Sequence, residues 1–318
     1  MTIATIADQS VKQQAMHTPN DHSHRPIIKI TLRQQGVTLI ELMVGLAIGL
    51  LVVAVSMAAM MLSRGISGTV SDASGIQQQG SYILRTIGQQ LRQTGSLLLN
   101  TDPIGTGSAN VLGAVIFEIK ADAQGSGNSF EQNNLLVGNT DSVTTGFRRY
   151  QDNVFVAANA TSSTIGTDYL GRNCVGAPAN TSTDERVESQ FSFANNELSC
   201  GGNGAAAQPM ARNVAQFEVA YLVQTVAGGT GTTVQYTKGG DMPTAATDPT
   251  WRRVQGVQVC LVLYGDEPIN MPAGSSYTDC DGNSVDMTTL TGARKNRMHL
   301  LFRNTYQLRS QGLLDAGV

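Results

Sequence analysis

The chain combines three patterns of hydrophobic and polar residues, and the first is a continuous apolar run. Residues 42–62 read LMVGLAIGLLVVAVSMAAMML and include no charged side chain. A helix of about 20 such residues, rising about 1.5 Å per residue, crosses a hydrocarbon core of about 30 Å. Arg25, Lys29 and Arg33 precede the run. The positive-inside rule therefore predicts a cytoplasmic N-terminus and an exported C-terminal body.

The second pattern, over residues 63–95, is that of an amphipathic helix continuing the apolar run. Five glycines between residues 63 and 90 each disfavour a helix by up to about 1 kcal/mol relative to Ala, so local kinks are expected. Gly95 suits a helix C-cap. The second half of this long helix is expected to pack on a globular head. Apolar residues recur at helical spacing at Ile66, Val70, Ile76, Ile83, Ile87 and Leu91.

The third pattern, after Gly95, is that of β-strands separated by turns rich in Gly, Ser, Thr and Asn, such as 121–129, 159–168, 201–208 and 227–232. Because no helical pattern lies between the strands, an antiparallel sheet in one head domain is expected. The fold class is therefore α+β. The predicted strands are Val143–Tyr150, Val187–Phe193, Val214–Gln224, Thr233–Thr237, Val254–Tyr264 and Met298–Leu308.

Composition argues against catalysis and nucleic-acid binding. The 318 residues carry a formal net charge of -3, which is unlike a basic nucleic-acid-binding protein. Three of the four histidines precede residue 25, leaving His299 alone in the body, and no GxSxG or HExxH motif occurs. A histidine-based triad or multi-histidine metal site is disfavoured. We expect neither an enzyme nor a cofactor.

Glu41 stands at the start of the apolar run, where a carboxylate is expensive and usually has a partner. The surrounding residues, Gln34-Gln35-Gly36-Val37-Thr38-Leu39-Ile40-Glu41-Leu42, resemble the processing motif of type IV prepilins and pseudopilins. The resemblance implies cleavage between Gly36 and Val37 by a membrane prepilin peptidase, followed by methylation of the new N-terminal amine. Val37 replaces the usual Phe, and the leader of 36 residues is long; a start at Met16 would shorten it to 21.

The motif divides the chain into four parts: a cytoplasmic leader, 1–36, which is removed; a membrane or fibre-core helix, 37–62; its amphipathic continuation, 63–95; and the exported head, 96–318. Cleavage creates an α-amine at Val37. In a fibre, that amine can pair with Glu41 of a neighbouring chain, which is the pairing that the resemblance favours. The alternative is a pair within one chain, because positions four apart face each other on a helix.

The head resembles the PilW-like group of minor pilins in several separate segments. They are Asn173–Gly176, Asn196–Cys200, Asn213–Tyr221, Trp251–Val259 and Phe302–Arg309. This resemblance implies a structural subunit that initiates or caps a type IV pilus. The alternatives are a minor pseudopilin of type II secretion, and a pilus-tip adhesin or DNA-uptake subunit.

The resemblance also implies partners and a location. Implied partners are prepilin peptidase, other minor and major pilins, the inner-membrane pilus assembly machinery and membrane lipid. The chain would lie in the inner membrane and then in the pilus at the cell surface.

Four cysteines in an exported chain favour disulfides, although four allow three connectivities. Cys174–Cys200 and Cys260–Cys280 are the expected bridges, because each pair brackets a loop of turn residues. A weak calcium candidate lies around the last cysteine. The spacing of its oxygen ligands approaches that of an EF-hand loop but lacks the required Gly and Glu positions, so an ordinary turn explains it as well. Its residues are Asp279, Asp281, Asn283 and Asp286.

Overall fold

A computed structural model describes residues 36–99, 115–159, 162–227 and 231–309. Residues 1–35 of the predicted leader, the choice between Met1 and Met16, and residues 100–114 lie outside these ranges. The chain divides into two compact units, one ending at Ala58 and the other beginning at Ala59. Each is described separately below.

Helix α1, Leu39–Gln93, covers 55 residues and contains the predicted membrane segment. In the first unit, every residue from Gly36 to Ala58 is exposed, although nearly all the side chains from Leu42 onward are apolar. The stretch Leu39–Met61 has a mean hydropathy of 2.5 and is long and apolar enough to span a membrane. A surface of this kind is expected to contact lipid or other helices.

In the second unit, α1 buries one face in the head. Ile83, Ile87 and Leu91 are fully buried and Ile76 is nearly so, which confirms the periodic pattern over this part of the helix. Val70 was predicted on the same face but is 63% exposed. It lies more than a turn before Ile76, where the buried stripe begins. Gly95 follows the helix with φ 103°, a left-handed conformation that suits a C-cap glycine.

Seventeen short and long strands follow α1 in the part of the chain that the structure describes. The first eight are β1 Leu98–Leu99, β2 Val115–Ile116, β3 Lys120–Ala121, β4 Phe130–Glu131, β5 Leu136–Gly138, β6 Ser142–Arg148, β7 Gln151–Asn159 and β8 Ser162–Tyr169. The others are β9 Arg186–Ala194, β10 Glu197–Gly202, β11 Ala205–Ala211, β12 Val214–Ala227, β13 Gly231–Lys238, β14 Val254–Tyr264, β15 Ser276–Thr278, β16 Ser284–Asp286 and β17 His299–Gln307. Short 3-10 turns lie at Gln132–Asn134, Gly239–Asp241, Pro249–Arg253 and Gly292–Arg294.

The strands form two larger sheets and four two-stranded ribbons, and every strand pair is antiparallel. One sheet has the order β11-β10-β9-β6-β5, and the other has the order β13-β12-β14-β17. All six predicted strands are present with ends shifted by a few residues. The α+β class, with a long N-terminal helix and antiparallel sheets, is confirmed.

Two segments predicted as polar turns are largely strands. Residues 159–168 overlap β8, which pairs with β7, and residues 201–208 include the end of β10 and the start of β11. The error has a physical cause. Ser and Thr mark turns by hydrogen-bonding to nearby backbone, but Thr is also β-branched and fits a strand. Pairing with a neighbouring strand, rather than local composition, decides between the two.

The core lies between the second half of α1 and the sheets. The helix glycines allow close approach: a Cβ placed on Gly80 would lie 2.6 Å from the Phe302 ring, and one on Gly88 would lie 2.3 Å from the Tyr306 ring. The Tyr306 hydroxyl also donates a hydrogen bond to the Leu84 carbonyl at 2.5 Å. α1 is continuous through these positions, and both glycines lie against aromatic side chains of β17.

Candidate functional site

The predicted cleavage position lies immediately before α1. Gly36, Val37 and Thr38 are non-helical, and the first intrahelical bond runs from the Leu42 N–H to the Thr38 carbonyl at 3.1 Å. The side chain of Thr38 accepts a hydrogen bond from the Glu41 N–H at 3.4 Å. Thr38 is therefore the N-cap of the helix, and Glu41 occupies the third helical position.

The N-cap role of Thr38 was missed in the sequence. Thr38-Leu39-Ile40-Glu41 has the S/T-x-x-E spacing of a capping box directly before an apolar run, which was the available signal. A carboxylate in the first helical turn is also stabilised by the positive end of the helix dipole. Glu41 therefore has a local structural role beside the proposed pairing with another chain.

The glycine at position 36 has no intrachain explanation. A Cβ placed on it meets no atom within 4 Å, and its φ lies outside the left-handed region that favours glycine. Val37, the proposed new N-terminus, is 69% exposed. The fold around these residues would accept a larger side chain at position 36. A requirement for glycine there is expected to come from an external protein.

The position of Val37 also weighs against the intrachain pair. An amine and a carboxylate four residues apart meet on one helix only if both residues are helical. Val37 lies two residues before the start of α1, whereas Glu41 lies within it. The structure does not bring Val37 and Glu41 into the helical arrangement that this alternative needs.

Beyond Glu41, the helix presents an open surface for close helix packing. A Cβ on Gly45 or Gly49 would meet no atom within 4 Å. The two glycines are four residues apart, as in the GxxxG pattern that lets membrane helices approach closely.

Comparison with known families matches two separate parts of the chain. Residues 31–57 match the prokaryotic N-terminal methylation motif, and residues 180–310 match the family described as Type IV Pilus-assembly protein W. The chain is therefore similar to type IV pilins in its N-terminal segment and to this pilus-assembly family in its head. The two matches support a membrane-anchored protein with a minor-pilin role in general.

No curated protein matches. Among solved structures, a type IV-like pilin from Thermus thermophilus is similar over 73% of this chain and 95% of its own, with 13% identity and a TM-score of 0.31.

In the head of the pilin-like protein, all four cysteines are bridged. Cys174 pairs with Cys200 on β10, with 6.3 Å between their Cα atoms, and Cys260 on β14 pairs with Cys280, with 5.8 Å between theirs. These are the same pairs that the sequence predicted. Each closes a loop of about 20 to 26 residues and is expected to stabilise the head by about 2–4 kcal/mol.

The calcium candidate is not assembled into a site. A carboxylate oxygen of Asp279 accepts the Asn283 N–H at 2.7 Å, and Asp286 accepts the N–H and hydroxyl of Thr288. Asp281 pairs with Lys238. Among the residues that the structure describes, no group of three or more His, Cys, Asp or Glu could hold a metal ion. In this structure the oxygens of Asp279 and Asp286 accept hydrogen bonds within turns, and Asp281 forms an ion pair.

Three arginines near the C-terminus donate hydrogen bonds to residues between Gly265 and Cys280. Arg294 donates to the Tyr277 hydroxyl at 2.6 Å, Arg297 donates to the Gly265 carbonyl at 2.9 Å, and Arg303 donates to the Cys280 carbonyl at 2.6 Å. These hydrogen bonds attach three cations near the C-terminus to neighbouring groups of the head.

Proposed function

We propose that the protein is a minor pilin that helps to initiate or cap a type IV pilus after prepilin peptidase cleaves between Gly36 and Val37. The observation that carries the proposal is the start of α1. An exposed glycine with no structural reason to be glycine is followed, five residues later, by Glu41 in the first turn of an exposed apolar helix.

Cleavage would supply the partner for Glu41. It would leave a positive α-amine on Val37, and both this amine and the carboxylate are costly in an apolar fibre core. Pairing the Glu41 carboxylate with the amine of a neighbouring subunit would neutralise both charges and fix the axial register of the two helices. The open surface at Gly45 and Gly49 would allow the helices to approach closely.

The same proposal implies a membrane topology for the chain and a set of partners. Basic residues before the helix favour a cytoplasmic N-terminus, where the peptidase acts, and a periplasmic head, where disulfides form. Before assembly the helix would lie in inner-membrane lipid. The inner-membrane assembly machinery would then transfer the subunit to a pilus, where it contacts other minor and major pilins.

A minor pseudopilin of type II secretion is the second candidate, because it would share the processing motif. The match of residues 180–310 to a pilus-assembly family favours the pilus. A subunit that initiates or caps fibres should be much scarcer than the major pilin in purified pili. Its deletion should lower the number of pili per cell without shortening those that remain.

Processing can be tested directly by mass spectrometry of the membrane and pilus fractions. We expect a chain that begins at Val37 with a methylated amine. Gly36→Leu should retain the leader, whereas Gly45→Leu, a substitution at an equally open glycine, should be processed normally. A chain that begins at Met1 in purified pili would contradict the proposal.

A further inference from the structure

The two larger sheets end in four edge strands, and three of these carry features that hinder pairing with another chain. β5 has only three residues. β11 contains Pro209 and pairs irregularly with β10, with two shifts of register. β17 presents the exposed cation Arg303. Short length, proline, bulges and charge are the means by which natural sheets avoid edge-to-edge association.

The fourth edge, β13, has none of these features along most of its length. Its pairing with β12 runs from Gly231 to Lys238 without a shift. The segment Thr232–Thr237 reads TTVQYT, with no charge and no proline, and is rich in β-branched and aromatic residues. The single charge, Lys238, forms an ion pair with Asp281.

β13 is also open to solvent on both faces. Every residue from Thr232 to Tyr236 is exposed, and the apolar side chains of Val234 and Tyr236 are 55% and 56% exposed. Alternate residues of a strand share a face, so these two side chains form one apolar patch beside the edge. In the part of the chain that the structure describes, β12 is the one strand paired with β13.

We propose that β13 is a docking edge for the β13 strand of a second copy of this chain. The two strands pair antiparallel about a two-fold axis at Gln235, joining the two four-stranded sheets into one. In this register Val234 lies opposite Tyr236, Thr233 opposite Thr237 and Thr232 opposite Lys238. Each pair occurs twice because of the symmetry.

The argument for a second copy is that this register is self-complementary. Opposite residues in an antiparallel sheet lie on the same face. The two-fold axis must therefore pass beside a residue, which then lies opposite its own copy, and not between two consecutive residues. With the axis at Gln235, Val234 pairs with Tyr236 and Thr233 pairs with Thr237. β-Branched–aromatic and Thr–Thr pairs of this kind are favourable across two strands. An axis at Tyr236 would instead place Val234 opposite Lys238, and an axis at Val234 would place Thr237 opposite Gly231, which loses the Thr–Thr pair.

The interface is small, so the dimer should depend on concentration. Seven residues per copy, 232–238, form a contact below the size of a standard stable interface. Anchoring both copies in one membrane would raise their effective concentration. The inference is independent of the proposed function, because pairing needs neither processing nor a pilus.

The test uses thiol crosslinking of the full chain in detergent micelles. The four native cysteines are bridged, so Gln235→Cys adds one free thiol at the proposed axis. A short bismaleimide should then give a covalent dimer. Gln208→Cys, at an exposed glutamine on the Pro-containing edge β11, is the matched control and should stay monomeric. Mixing Val234→Cys with Tyr236→Cys chains should give more crosslinked dimer than either variant alone.

A second variant tests whether weakening the β13 edge prevents dimer formation. Adding Val234→Lys to Gln235→Cys removes two Val–Tyr pairs per dimer and should lower dimer formation by about tenfold. Circular dichroism would verify that the variant is folded, and sedimentation of the wild-type chain gives a readout without substitutions. Equal crosslinking of Gln235→Cys and Gln208→Cys, a monomeric wild-type chain at high concentration, or crosslinking in cells to a different protein alone would overturn the proposal.

Discussion

The two halves of α1 both contain apolar residues and glycines, but these residues have opposite environments in the two halves. From Leu39 to Met61 the apolar side chains are exposed, and Gly45 and Gly49 have open space around them. From Ile76 to Leu91 one apolar stripe is buried, and Gly80 and Gly88 lie against aromatic rings. Glycine therefore leaves an open surface in the first half of the helix and allows a close contact with the head in the second half.

The difference indicates that the apolar surface of the first half is covered by something outside the chain and that of the second half by the head. A globular chain rarely leaves so long an apolar surface uncovered unless lipid or another protein covers it. The second half needs no further partner, because the head of the same chain covers its apolar stripe. Substitutions in the first half should therefore affect insertion or assembly, whereas those in the second half should affect the stability of the head.

The largest expected effect is that of Ile87→Ala. Ile87 is fully buried, and removing its side chain should lower the free energy of unfolding of the head by about 2–5 kcal/mol. Trp251, the one tryptophan of the chain, is buried in the head, so its fluorescence reports unfolding in detergent micelles. Leu46→Ala, at an exposed position of the first half, is the control and should change that free energy by less than about 0.5 kcal/mol. Equal effects would mean that the halves do not differ as described.

Gly88→Ala should have the next largest effect. The added methyl group would collide with the Tyr306 ring, and overpacking of this kind typically costs about 1–3 kcal/mol. The matched variant Gly49→Ala meets open space and should strengthen the helix slightly, since Ala is a better helix former than Gly. Denaturant unfolding followed by Trp251 fluorescence would distinguish them. A stabilising effect of Gly88→Ala would contradict the close contact with β17.

A smaller effect should appear with pH, and only in the head. His299 is buried, and its ring stacks on Tyr277 with 4.5 Å between centroids. Burial, with the nearby Arg294 cation, lowers the pKa of His299 from 6.5 to about 4, although a hydrogen bond with the Arg297 carbonyl opposes the shift. Between these values the unfolded chain binds a proton that the folded chain does not.

Stability should therefore decline as pH falls from about 6.5 to about 4, and His299 should have no influence above that range. The melting temperature of the wild-type head should fall more steeply over this window than that of His299→Gln. Parallel curves would show that His299 does not titrate differently in the two states.

Most of the architecture was predictable because it depends on local patterns. The apolar run, the buried isoleucines of α1 and the six predicted strands follow from periodicity, and Gly95 follows from helix-capping chemistry. The processing motif was recognisable because it combines Gly36, Glu41 and the apolar run within a few residues. All of these features depend on residues that lie close together in the sequence.

Features that depend on distant partners were not predictable. β8 becomes a strand because β7 pairs with it, which its Ser- and Thr-rich sequence does not reveal. Arg149 is 1% exposed, and its guanidinium donates to the carbonyls of Ala179 and Ser182, more than 29 residues away. The close approach of Phe302 and Tyr306 to the helix glycines joins residues more than 200 positions apart. Contacts of this range need the folded chain.

The central claim is that the first half of α1 is completed by other subunits, with Glu41 as the charged partner of a neighbouring amine. Its most direct test is the amount of mature Glu41→Ala chain in purified pili, relative to major pilin, in cells without the wild-type chain. Glu131→Ala, which removes an exposed carboxylate from the head, is the control and should be incorporated normally.

We expect Glu41→Ala to be inserted and cleaved, because the apolar residues drive insertion, yet to be nearly absent from pili. Removing one partner of a buried ion pair typically costs about 3–5 kcal/mol, which is enough to exclude the subunit. Incorporation of processed Glu41→Ala at the level of Glu131→Ala, with normal piliation, would contradict the claim and leave Glu41 only its place in the first turn of the helix, near the positive end of the helix dipole.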